Sequence, residues 1–469
     1  MCELERLPTG IPNLDRILSG GFPAYSVNVI AGSPGTGKTV LAQEMMFHNA
    51  SEDRKAMYVT TLSEPSVKVL RYQQGFTFFD QDKVGTSVFF NDIGAIVRQE
   101  GLGDAQSRLI EMVKQIRPAV VVIDSFKAIH DLAPSVSEFR KFVYDLAVKM
   151  AGWQCTTFLI GEYTADQLES EPEFAIADGV LYLENDEQTR GGGRWLSVHK
   201  MRGSGFMPGR HSYEIDPDGL QVFPRKLTSG QPAVLKSDVR CAFGLSEIDR
   251  LLGGGFPQGA VTLLSGAAGT GKTILSLQYL TRGALEFGEV GLMLLYEEAE
   301  GQLVELGESF GWPVRQLVEE GKLVLRSFPI VDLNVDKHLL EVRELLETTG
   351  AKRVAVDSVA SMLHSISEDD GLVAEKLAQL VDLLKSCKST SVLVSPTTSG
   401  ALDLSNFKTE ESLVDGVVVL RVQQQDSKRR RSLEVYKLRA TRHVMGEHRM
   451  AITQEGIRVY YVPGGEEMS

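Results

Sequence analysis

Gly32-Ser33-Pro34-Gly35-Thr36-Gly37-Lys38-Thr39 and Gly266-Ala267-Ala268-Gly269-Thr270-Gly271-Lys272-Thr273 are two copies of one phosphate-loop pattern, each set between an apolar run and a helical one. The glycines let backbone N–H groups turn inward around a phosphate, and the positive end of the following helix adds to the attraction. In such a loop Lys38 and Lys272 are expected to reach the β- and γ-phosphates of ATP, and the Thr39 and Thr273 hydroxyls to bind Mg²⁺. One match signals nucleotide binding; two, at the same place in a repeat, decide the fold class.

The repeat runs outward from these loops. Gly20-Gly21-Phe22-Pro23 recurs at Gly254 to Pro257, and Leu14-Asp15-Arg16 becomes Ile248-Asp249-Arg250, all 234 positions on, like the loops themselves. Val120 to Ser125 matches Arg353 to Ser358 at 233; Asp178-Gly179 matches Asp415-Gly416, and His199 to Arg202 matches Tyr436 to Arg439, at 237. Apolar strands such as Val27 to Ala31 and Val261 to Ser265 alternate with helical stretches. That alternation predicts an α/β fold, a mainly parallel sheet flanked by helices in each of two tandem P-loop NTPase domains. The boundaries read as residues 1–226 and 241–463, joined by a linker at 227–240 and followed by a short tail at 464–469.

Asp124 and Asp357 end buried apolar strands and fit the second metal-holding position of such a site. Cleavage also needs a carboxylate that orients or deprotonates the attacking nucleophile. Twenty-six residues after each loop lysine stands a glutamate, Glu64 and Glu298, and Glu297 adds a second carboxylate where the first half has Ser63. A lone glutamate after a strand more often solvates a loop; the matched count from both lysines favours catalysis, and the Glu297/Ser63 difference points to unlike chemistry in the two halves.

Composition narrows the partners. The chain has 469 residues, 43% hydrophobic and 24% charged, the balance of a soluble globular protein. No apolar run reaches the roughly 20 residues a bilayer needs, and the start lacks a signal peptide, so no membrane and a cytoplasmic location are expected. A formal net charge of −13 opposes nonspecific attraction to a phosphate backbone, making nucleic acid an unlikely partner. Cys2, Cys155, Cys241 and Cys387 are scattered, and His443 with His448 reads as a surface coincidence, so no disulfide or zinc site is expected. Lys428-Arg429-Arg430-Arg431 reads as a solvated hairpin turn.

Taken together, the Gly-Gly-Phe-Pro segments, both loops, Tyr296-Glu297-Glu298, Asp124-Ser125, Asp357-Ser358, Lys200-Met201-Arg202-Gly203-Ser204 and Lys437-Leu438-Arg439-Ala440-Thr441 resemble the KaiC family of double-domain RecA-like ATPases over nearly the whole chain. The resemblance implies a homo-hexamer with ATP held between neighbouring subunits, and Lys200, Arg202, Lys437 and Arg439 as contacts delivered to a neighbour's ATP. It also implies a phosphoacceptor in the C-terminal half. There Ser412 stands where the family has its threonine, Glu411 replaces the preceding serine, and the first half has only Phe174-Ala175-Ile176-Ala177 before Asp178. The expected activity is ATP hydrolysis with serine autophosphorylation in the C-terminal domain, in a regulator with a signalling protein as partner; the ending at Gly464 to Ser469 lacks the long tail of clock members. A DNA-dependent recombinase or helicase, and a scaffold that binds nucleotide but turns it over slowly, are the competing readings.

Overall fold

The computed structural model describes residues 4–61, 66–186, 193–226, 235–331, 333–363, 370–397, 410–425 and 428–461. The chain divides into two compact units, Met1–Arg225 and Lys226–Ser469, built alike. In the first, six parallel strands lie in the order Gly179–Asp186, Val27–Gly32, Thr156–Glu162, Val120–Asp124, Ala56–Thr60, Val88–Asp92, and three antiparallel strands from Gly193–Met201 to Gly219–Phe223 extend the sheet. The second repeats that order from Gly416–Gln425 through Val261–Gly266, Thr390–Pro396, Arg353–Asp357 and Gly291–Leu295 to Leu323–Ser327, again with three antiparallel strands beyond.

Val120-Val121-Val122-Ile123 shows why such strands form. It is an unbroken β-branched run, which favours the pleated conformation and suits a strand covered on both faces. Val120 and Val122 enter the cluster on one face, with Leu41, Met45 and Phe158; Val121 and Ile123 enter the other, with Phe126, Phe139 and Leu146. Because the strands are parallel, their carboxyl ends share one edge, where open α/β sheets bind ligands.

Three details depart from the sequence reading. Residues 236–240, expected in the linker, belong to the strand Lys236–Cys241, which pairs with Phe256–Gln258. Lys428–Arg431 are not the turn of the hairpin but the start of its second strand, paired with Val422 to Gln425. His448 is buried, stacked on Tyr461, rather than on the surface. No helix of the described residues is long and apolar enough to cross a membrane.

The helix after each phosphate loop packs on the last strand through one polar residue. In the first unit this is Glu44, which is buried and accepts the Leu220 N–H at 2.9 Å beside Gly219. In the second it is Gln278, which accepts the Ile457 N–H at 2.9 Å and donates to the Ile457 carbonyl at 3.4 Å. Burial pushes the Glu44 carboxyl up from 4.5 to about 7, against the lowering effect of the Leu220 hydrogen bond, with Asp216 adding to the rise. The ionised form is the penalised one, so the cost is absent below about pH 4.5, grows between 4.5 and 7, and is full above 7. Glu44→Gln, which copies the second unit, is therefore expected to stabilise the protein by about 1–2 kcal/mol at pH 8, with the gain shrinking towards pH 5. Urea unfolding of both proteins at the two pH values measures it; an equal shift at both would mean the carboxylate carries no charge penalty.

Candidate active sites

Each phosphate loop leaves the sheet at its central strand and enters a helix at its lysine, Lys38–Asn49 in the first unit and Lys272–Phe287 in the second. Gly37 and Gly271 precede these helices with φ of 87° and 104°, a left-handed backbone that disfavours any side chain. At Gly32 a Cβ would lie 2.0 Å from the Leu183 carbonyl oxygen, and at Gly266 2.5 Å from that of Leu420. The two loops thus need glycine for the same two reasons, chain reversal and close approach to the neighbouring strand. Thr36 and Thr270 brace them, donating to the Ser33 and Ala267 carbonyls at 2.8 and 2.9 Å.

The lysines fold back over the loops. Lys38 Nζ donates to the Ser33 carbonyl at 2.7 Å, and Lys272 Nζ to those of Gly266 and Ala267 at 2.7 and 3.0 Å. Burial lowers both pKa values; Glu162 and Asp124 oppose this at Lys38, Asp357 and Glu297 at Lys272. The expected metal-holding pairs are brought together: Thr39 Oγ1 donates to Asp124 Oδ2, and Thr273 Oγ1 to Asp357 Oδ2, each at 2.7 Å. A hydroxyl and a carboxylate at a helix N-terminus form a hard oxygen donor set, which fits Mg²⁺. The first site opens into a cavity of about 670 Å³ lined by Lys38, Thr39, Tyr58, Asp124, Lys127 and Glu162 among others.

The two sites differ around this shared frame. Tyr58 adds a second donor to Asp124 Oδ2, at 2.5 Å, whereas Met293 holds its place in the register of the second sheet. Burial there raises the Asp357 carboxyl to about 6, with Glu298 and Glu297 adding to the rise against Thr273 and Lys272. Glu162, at the end of the strand beside the loop, faces Lys38 in the first unit; Pro396 stands there in the second. Glu162 was not read from the sequence, although comparing Gly161-Glu162 with Ser395-Pro396 across the repeat would have exposed it.

Glu297 is held by the segment that follows Asp357: Ser361, on the helix Val359–Leu363, donates to its Oε1 in a short hydrogen bond, and Ser358 lies 3.4 Å from the same oxygen. Ala128 occupies the position of Ser361 in the first unit. Burial raises the pKa of Glu298, and the Glu297 charge adds to it. Glu64 lies outside the described residues. The strands leading to it are offset, however: Thr60 pairs with Asp124 and Leu295 with Asp357, so Glu64 is four residues past its strand end while Glu297 and Glu298 are two and three past theirs. The equal count from the lysines is thus not an equal place on the strand, because the helix after the second loop is four residues longer and its connection three shorter.

The four basic residues implied as contacts to a neighbour are engaged locally. Lys200 Nζ donates to the Phe174 and Ala175 carbonyls at 3.0 Å each, and Arg202 to Ala175 at 3.3 Å. Lys437 donates to Glu411 and Val414 at 2.6 and 3.0 Å, and Arg439 to the Ser412 carbonyl at 3.0 Å. Ser412 itself is exposed, on the short helix Glu410–Leu413. Arg431, from the basic run read as a turn, reaches the Gly269 carbonyl of the second loop at 3.4 Å.

A family model described as the KaiC ATPase matches residues 7–227 and again residues 241–463. The circadian clock protein KaiC3 of Synechocystis sp. (strain ATCC 27184 / PCC 6803 / Kazusa) is 26% identical over 97% of this chain and 92% of its own length. The circadian clock oscillator proteins KaiC of Parathermosynechococcus lividus and Parasynechococcus marenigrum (strain WH8102) are each 25% identical, over 98% and 97% of this chain and 86% and 90% of their own. Two phosphate loops on two matching sheets, each with its threonine–aspartate pair, agree with these matches, and the chain belongs to the KaiC ATPase family, whose domain it carries twice.

Proposed function

We propose that the protein is an ATP- and Mg²⁺-dependent regulator, assembled as a hexamer, whose N-terminal sites hydrolyse ATP and whose C-terminal sites also transfer phosphate to Ser412 of a neighbouring copy. The observation that carries the nucleotide reading is the pairing of Thr39 with Asp124 and Thr273 with Asp357 beside lysines bent over glycine loops. Mg²⁺, when bound, neutralises charge on the β- and γ-phosphates. The chain's own work is to hold the phosphates with loop N–H groups and Lys38 or Lys272, to anchor the metal side by Thr39 and Asp124 or Thr273 and Asp357, and to receive a proton. Glu64 takes that role in the first half, from water; Glu298, its pKa raised by burial and by Glu297, takes it in the second, with Ser361 fixing Glu297 beside it.

The transfer reading is supported by the surroundings of Ser412. Arg439 holds its carbonyl, and Lys437 holds those of Glu411 and Val414, so any contact of these cations with a neighbour's γ-phosphate would alter where the Ser412 hydroxyl is presented. The phosphorus–oxygen bond to ADP would break, a bond to Ser412 Oγ would form, and the hydroxyl proton would pass to Glu298. In the first unit the corresponding cations grip Phe174 and Ala175, which offer no hydroxyl.

Lys38→Ala and Lys272→Ala are each expected to cut turnover at their own site by about 10²–10³-fold, the usual loss of one preorganised charge contact, and together to abolish ATP-dependent assembly. Turnover and sizing of the purified chain with and without ATP and Mg²⁺ measure this. A chain that assembles yet shows turnover unaffected by either change would be a nucleotide-gated scaffold, and turnover stimulated by single-stranded DNA would favour the recombinase reading. After incubation with ATP and Mg²⁺, phosphopeptide mapping is expected to find phosphate on Ser412, lost in Ser412→Ala and in Lys272→Ala but kept in Lys38→Ala. Label undiminished in Ser412→Ala would overturn the assignment.

A further inference from the structure

A second cluster of ligating side chains stands next to Lys127 and Asp131, two residues that line the N-terminal nucleotide pocket. His130 comes from the helix Phe126–Asp131 that follows Asp124-Ser125; Glu171 and Glu173 come from the start of the helix Pro172–Ile176. One ligand atom from each lies within 4.8 Å of the other two. The two imidazole nitrogens face different carboxylates, Nδ1 at 3.2 Å from Glu173 Oε1 and Nε2 at 3.6 Å from Glu171 Oε2. Tyr163 donates to Glu173 Oε1 at 2.5 Å. The Glu173 side chain is 0% exposed, and its Oε2 has no hydrogen-bond partner among the described residues.

Charge around His130 does not balance. Lys127 Nζ is 3.5 Å from Nδ1 and 3.2 Å from Asp131, so one ammonium and one imidazole stand among three carboxylates, Asp131 beside Lys127 and Glu171 and Glu173 beside His130. A neutral imidazole donates from one nitrogen only, which leaves the other carboxylate against a lone pair. A buried carboxylate with an empty lone-pair face is costly unless a cation approaches it. Imidazole with two carboxylates is the donor set of first-row divalent ions such as Zn²⁺, whereas Mg²⁺ prefers oxygen alone.

The second unit separates this cluster from the shared fold. Glu410 is buried at the position of Glu173 and accepts from Ser395, but Leu363 stands in place of His130 and Ala360 in place of Lys127. A buried glutamate is thus common to both halves, while among the described residues the imidazole set against it is found in the first.

We propose that His130, Glu171 and Glu173 bind a first-row divalent transition-metal ion. Metal–ligand bonds of about 2.0–2.2 Å need the ligand atoms closer than they now stand, and Glu171, 21% exposed, is free to close that gap while Lys127 turns fully to Asp131. The site joins two parts of the N-terminal unit. Lys127 and Asp131 line the nucleotide pocket, and the helix that carries Glu173 ends in the carbonyls gripped by Lys200 and Arg202. A bound ion ties the segment after Asp124 to the segment that holds the basic strand end. The site does not depend on what the nucleotide sites catalyse.

Zn²⁺ titration of the chelator-treated full chain by calorimetry, with excess Mg²⁺ and ADP present to fill the nucleotide sites, tests the site. One site per chain is expected in the wild type, weakened at least tenfold by His130→Ala and by Glu171→Gln, with Zn²⁺ raising the melting temperature of the wild type alone. Co²⁺ in place of Zn²⁺ should give visible d–d bands that vanish in both variants. If His130→Ala does not fold, Glu171→Gln, on a partly exposed side chain, decides alone. Wild type without a site, or variants that bind Zn²⁺ as the wild type does, would overturn the proposal.

Discussion

Burial lowers the pKa of Lys38 and of Lys272, since an ammonium loses hydration when it is drawn against the sheet edge, and in both units carboxylates at the strand ends oppose the shift. This opposition ties the site together. The lysine must stay charged to hold a triphosphate, yet the carboxylates that keep it so repel that same triphosphate unless a metal ion stands between them. Loop, lysine, threonine and aspartate are therefore not four separate features but one charge balance. Parallel strands make it possible, because they bring residues distant in sequence to one edge with their carboxyl ends aligned.

The two halves solve that balance with different residues. In the first, Glu162 supports Lys38, and Tyr58 joins Thr39 in donating to Asp124 Oδ2. In the second, Glu297 supports Lys272, Asp357 has lost the tyrosine, and its carboxyl is pushed to about 6 by burial and by Glu298 and Glu297. Moving the supporting carboxylate from the strand beside the loop to the segment after Gly291–Leu295 leaves two acids side by side in the second site. One of them is fixed by Ser361, and the pKa of the other is raised by burial and by its neighbour's charge.

The phosphate loops were legible in the sequence because their glycines are demanded by geometry, positive φ at Gly37 and Gly271 and backbone contact at Gly32 and Gly266, and geometry of that kind fixes residue type at fixed spacing. The apolar strands and the repeat were legible for a similar reason, since a strand buried on both faces tolerates little but β-branched and aliphatic residues. Counting along the chain failed where length is cheap. A longer helix and a shorter connection place the next strand one residue further along the chain from the lysine in the second unit, so Glu64 and Glu298 share a distance from their lysines without sharing a distance from their strand ends. Contacts between distant segments were not legible at all. His130 meets Glu173 across 43 residues, and Ser361 meets Glu297 across 64, with no spacing rule to announce either.

The short helix before the strand Gly179–Asp186, and its counterpart Glu410–Leu413 before Gly416–Gln425, link these observations. In both units this helix carries a buried glutamate, Glu173 or Glu410, and offers its last carbonyls to a lysine and an arginine from the adjoining strand. A helix C-terminus favours such cations, so the same groups that satisfy its carbonyls are held poised rather than free in solvent. Drawing Lys437 or Arg439 towards a phosphate elsewhere would uncap that helix, and in the second unit the uncapped carbonyls include those of Glu411 and Ser412. A contact made by these cations cannot then be independent of where the Ser412 hydroxyl points, and in the first unit it cannot be independent of the helix on which Glu173 faces His130.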